Sequence, residues 1–164
     1  MENTKEILAK VRRIGSSEAY LATKIALGID LLIVVYAWID SGSSGAYRYD
    51  EIIAMLVFAA SLTFFGQIFG RLTAGFIYRF PILCWLAGMF CALTTLYLAL
   101  VMHGFSYMIS RDLLYSDADP NSRQLFWYAI STSLFYLIYS CIPVAIHGII
   151  MGVRISLKMD RLKG

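Results

Sequence analysis

IIAMLVFAASLTFFGQIFGRLTAG, residues Ile52–Gly75, carries one charge, Arg71, in 24 consecutive positions. At 1.5 Å per residue such a run makes a helix about 36 Å long, enough to cross a hydrocarbon core of about 30 Å. A helix on the surface of a soluble domain would show a polar stripe on one side, and this run has none. It reads as a transmembrane helix, and the rest of the chain is interpreted around it.

Three more apolar runs of sufficient length lie at Ala19–Ile39, Pro81–Met102 and Leu125–Ile149. None alternates polar and apolar residues as a membrane β-barrel strand does. Over the whole chain 59% of residues are hydrophobic and 15% charged, with a mean hydropathy of +0.67. Soluble domains lie near 45–50% apolar and about 25% charged, so this composition excludes an ordinary cytosolic enzyme, a disordered chain and a disulfide scaffold. The first run is longer than the roughly 7–15 apolar residues of a signal peptide and is interrupted by Asp30, so it is expected to be retained. The expected fold is all-α: one integral membrane domain over 1–164, a bundle of four transmembrane helices with short amphipathic segments at both termini.

The net charge of +3 does not suggest a nucleic-acid partner; the placement of the charges carries more information. Lys5, Lys10, Arg12, Arg13, Arg71, Arg79, Arg154, Lys158, Arg161 and Lys163 all fall on one side of the spans, against Arg48, Arg111 and Arg123 on the other. Asp40, Asp50, Glu51, Asp112, Asp117 and Asp119 gather on the poorly basic side. The positive-inside rule then puts both termini in the cytoplasm, in a cell inner membrane. Tyr20, Tyr78 and Trp85 fall near the inner boundary and Tyr36, Trp38, Trp127 and Tyr128 near the outer one, where amphipathic rings settle.

Both flanks are amphipathic. Ile7, Val11 and Ile14 recur at helical spacing among Lys10, Arg12 and Arg13; Ile155, Met159 and Leu162 do so beside Arg154, Lys158 and Arg161. Such segments lie on an anionic leaflet or serve as positive-inside anchors. Between the spans, the Ser/Gly stretch 41–46 and Asp119-Pro120-Asn121 read as turns, and Phe105–Tyr115 as a short outer-surface helix.

Ionisable residues at membrane depth are functional candidates by default. Lys24 lies close enough to the inner boundary to snorkel and is expected to be an anchor. Asp30 lies near mid-span on a stem too short to escape, so it is expected to face the bundle, neutral or paired. Gln67 and Arg71 in the second span and His147 in the fourth could join it in a polar ladder toward the cytoplasm. The ladder has two readings, a proton or ion path and simple hydrogen-bonded helix glue.

No cofactor is expected. His103 and His147 fall at opposite ends of their spans, too far apart to share a haem iron. Cys84, Cys91 and Cys141 form no CxxC and read as small packing residues. Gly42-Ser43-Ser44-Gly45 matches an intramembrane-protease string but has no histidine to pair with, and reads as a flexible turn. No catalytic constellation emerges, and an enzyme is not expected.

Two GxxxG motifs, Gly66/Gly70 and Gly148/Gly152, permit close approach of helix backbones. Their similar depth suggests that spans two and four pack on each other, with contact to a partner as the alternative. The function expected by elimination is non-enzymatic, helix-mediated binding to another membrane protein or to a second copy, in the bilayer. An accessory subunit or a small immunity or exclusion protein would act this way. The alternative is a small proton- or cation-coupled transporter or channel using Asp30.

Overall fold

Pro81 fixes a tight corner between two helices. A residue preceding proline is driven out of the α region, and Phe80 adopts φ −131°, ψ 70°. Its N–H still donates to the Phe76 carbonyl at 2.9 Å, which finishes one helix, and its own carbonyl accepts from Leu83 N–H at 3.1 Å, which starts a 3-10 turn at Pro81–Leu83. The result is an antiparallel helix pair with almost no connecting loop.

The computed structural model describes residues 4–40, 49–115 and 122–163, with no strand among them. Its helices are α1 (Thr4–Asp40), α2 (Tyr49–Arg79), α3 (Cys84–Tyr115) and α4 (Ser122–Lys163). Among the described residues, three stretches are long and apolar enough to cross a membrane: Ile52–Arg79, Pro81–Ser110 and Phe126–Arg161. The expected turns at 41–46 and 119–121 lie outside the described residues.

Each helix overruns the span expected for it. Phe105–Tyr115 is no separate surface helix, because α3 continues through it without a break. Likewise the amphipathic arms are the first turns of α1 and the last turns of α4. Their apolar stripes are buried in the bundle: Val11, Ile155 and Met159 join Ala19, Ala74, Ile77, Cys91 and Met151 in one core cluster. That core sits at the end of the bundle holding the chain termini. Farther along α1, Ile25, Ile29, Leu31, Leu32 and Val35 are exposed, and a Cβ on Gly28 would meet nothing within 4 Å.

Consecutive helices pack on one another, with narrower contacts of α4 on α1 and on α2. The glycine motifs lie in these seams, but not as a pair between α2 and α4. On α2, Gly70 faces Gly15 and Ala19 of α1, while Gly66 faces Thr23. On α4, Gly148 lies against Gly88, Met89 and Ala92 of α3, and Gly152 against Cys84 and Gly88. Each motif therefore fits a second small-residue ladder at four-residue spacing, Gly15–Ala19–Thr23 in one seam and Cys84–Gly88–Ala92 in the other. This is backbone-to-backbone packing, which can hold helices together where lipid supplies no hydrophobic drive.

Candidate functional site

At the closed end of the bundle a carboxylate sits on the buried side of α1. Glu18 continues the apolar stripe Ile7–Val11–Ile14 by one more helical step and is 3% exposed. Two cations one turn apart on α4 converge on it. Arg154 Nε donates to Glu18 Oε2 at 2.8 Å, and Lys158 Nζ pairs with Oε1. Each oxygen thus has its own cation. Burial pushes the Glu18 carboxyl upward, but the hydrogen bonds and charges of Lys158 and Arg154 outweigh this and hold it below its ordinary value. Arg154 and Lys158 remain 48% and 47% exposed, so their outer faces still reach solvent. In the sequence Arg154 and Lys158 read as a basic stripe for an anionic leaflet or as anchoring charge, and Glu18 is marked only by its place on the Ile7–Val11–Ile14 stripe.

Above the triad lies a narrow crevice of about 50 Å³ between α1 and α4, lined by Glu18, Leu21, Ile25, His147 and Arg154 among others. His147 Nε2 is buried there without a hydrogen-bond partner among the described residues. The other expected members of the polar ladder lie elsewhere. Gln67 and Arg71 line an open groove between α2 and α1, shared with Arg12, Arg13 and Tyr20. Gln67 and Arg71 thus lie in one seam and His147 in another. Asp30 belongs to α1, and its side chain lies outside the described residues.

Lys24 folds back over Tyr20, with Nζ 4.6 Å from the ring centroid. Side chains on a helix lean toward its N-terminus, so the ammonium leans toward the charged end of the bundle. His103 is occupied at the other end of the bundle. Its Nδ1 lies 3.0 Å from the Ala54 carbonyl oxygen, and its ring stands edge-on to Phe58, which latches α3 to α2. Cys84, Cys91 and Cys141 are free thiols.

The outer face of α4 is aromatic. Phe135 lies tilted against Tyr139, with centroids 4.8 Å apart and ring planes at 57°, and touches Tyr136 edge-on at 6.2 Å. Tyr136 and Tyr139 are 55% and 72% exposed, and their hydroxyls make no hydrogen bond among the described residues. Pro143, one turn on, lacks the N–H that the Tyr139 carbonyl would otherwise accept. Comparison with known protein families, with curated proteins and with solved structures finds no match to this chain.

Proposed function

We propose that this chain is a non-enzymatic, multi-pass protein of the cell inner membrane that works by helix-mediated binding to another membrane protein. Its role would be that of an accessory subunit or a small immunity or exclusion protein. The observation that carries the reading is the pair of unbonded hydroxyls on α4. Counted from Phe126 at 1.5 Å per residue, Tyr136 and Tyr139 lie about 15 and 20 Å along the span, near the middle of a 30 Å core. A hydroxyl facing hydrocarbon there costs roughly 1–3 kcal/mol, a cost that acceptors on a neighbouring helix would remove. Pro143 donates no N–H to the Tyr139 carbonyl, so that carbonyl loses its ordinary helical partner beside the same tyrosine.

The GxxxG motifs no longer support a partner, since both are used inside the bundle. The expected result is therefore carried by the tyrosines. The chain purified in mild detergent should retain a stoichiometric membrane partner. The Tyr136→Phe/Tyr139→Phe variant should lose it while unfolding within about 0.5 kcal/mol of the parent, as for a surface change that breaks no internal bond. Unchanged co-purification in that variant would remove the tyrosine face from the reading.

In the same proposal α1 is the fourth span and both termini are cytoplasmic. The support is geometric: from Gly15 to Thr23 α1 packs on α2, a helix that is itself long enough to cross. Reporter fusions after Ser44 and Asp117 are expected to report the outside, and those after Arg79 and at Gly164 the cytoplasm. A cytoplasmic signal after Ser44 would leave three spans and reverse the argument for α1.

A further inference from the structure

The groove between α1 and α2 gathers cations without an acid to balance them. Arg12 and Arg13 project from α1, and Arg71 from α2, into an open space of about 600 Å³. None of the three makes an ion pair among the described residues. Glu18, five residues from Arg13 along α1, faces the opposite seam and is already held by Arg154 and Lys158. Ser16, Ser17 and Gln67 add uncharged hydrogen-bonding groups to the walls, and Tyr20 borders the groove.

The spacing is set by the fold. Arg12 and Arg13 precede Gly15 by one turn or less, and Arg71 follows Gly70, so the guanidinium stems leave the two helices where their backbones are in contact. Three like charges lining one groove repel one another, and a polyoxygen anion between them removes the repulsion. Guanidinium groups match phosphate oxygens two at a time, and hydroxyl and amide donors complete such a cradle. The groove also lies at the charged end of the α2 span, where basic pockets between helices meet lipid headgroups.

We infer that this groove is a binding site for a net-anionic phosphate group, supplied by an acidic phospholipid headgroup or by a free phosphoanion. The test uses the full chain in neutral maltoside micelles, with arginine modification by phenylglyoxal followed residue by residue by mass spectrometry. Phosphatidylglycerol is expected to slow modification of Arg12, Arg13 and Arg71 about tenfold, as charge-assisted bonds to guanidinium would, and to leave Arg79 and Arg161 unchanged. Protection by phosphatidylglycerol but not by millimolar inorganic phosphate assigns the headgroup; protection by both assigns the phosphoanion itself. The Arg12→Gln/Arg71→Gln variant should need about tenfold more phosphatidylglycerol to protect Arg13. Equal protection by phosphatidylcholine, equal protection of Arg161, or no protection by either anion overturns the inference. Those three outcomes are read on the parent protein, whether or not the variant folds.

Discussion

Gly88→Leu is expected to prevent the bundle from closing. A Cβ at this position would collide with the Gly148 carbonyl oxygen and lie 2.8 Å from both the N and Cα of Gly152. From the other side, a Cβ on Gly148 would meet the Gly88 carbonyl oxygen at 2.5 Å and Met89 Cα at 2.8 Å. The obstacles are backbone atoms on both sides, so no rotamer change relieves them and α3 must part from α4. Overpacking a core where side chains can move typically costs about 1–3 kcal/mol; here the cost should reach about 3 kcal/mol or more. Gly28 supplies the control, since a Cβ there meets nothing within 4 Å. Gly28→Leu should be as stable as the parent or more stable by up to about 1 kcal/mol, because it fills no seam and leucine is the better helix former. Thermal unfolding in detergent compares the two, and equal midpoints would mean that α3 and α4 do not approach through these glycines. Gly70→Leu should behave like Gly88→Leu, since a Cβ at Gly70 meets Ala19 Cβ at 2.5 Å and the Gly15 carbonyl oxygen at 2.7 Å.

These seams also show what could be read from the chain alone. Glycines four apart were visible as close-packing surfaces, but the motif says nothing about which helix it meets. The matching ladders use alanine, threonine and cysteine beside glycine, so they lack the same signature. Gly15 and Ala19 are further disguised by the charges around them, which made the N-terminal arm look interfacial. The helix ends were missed for a related reason. Hydropathy marks where a helix enters lipid, not where its hydrogen bonds stop, and the bundle supplies apolar contacts that keep α1 and α4 helical beyond that point. Glu18 was legible in principle. It occupies the next position of the Ile7–Val11–Ile14 stripe, and a charge on a buried stripe requires partners, here two cations four residues apart on one face of another helix. The α1–α2 groove was not legible, because it depends on which helix Gln67 and Arg71 face, and that follows from the seams.

Removing both cations from the Glu18 triad is expected to cost far more than removing the acid. In Arg154→Ala/Lys158→Ala the carboxylate stays buried with no charge to balance it, a situation that typically destabilises by about 3–5 kcal/mol. In Glu18→Leu the stranded groups are two cations already about half exposed, which can turn outward into water. That loss should be about 1 kcal/mol, near the scale of an exposed ion pair. Adding Glu18→Leu to the double variant should therefore restore stability, a sign opposite to that of independent sites. Acidity reads the same interaction without substituting the cations. Because the folded carboxyl is held below its ordinary value of 4.5, its contribution is fully present above that pH and is lost as pH falls through the lower folded value. The parent should thus lose stability below pH 4.5 more steeply than Glu18→Gln, which has no proton to take up at this position. If the triple variant is no more stable than Arg154→Ala/Lys158→Ala, and acid affects parent and Glu18→Gln alike, then the triad is not what clamps α1 to α4. The apolar contacts of Val11, Ile155 and Met159 would then have to close this end of the bundle unaided.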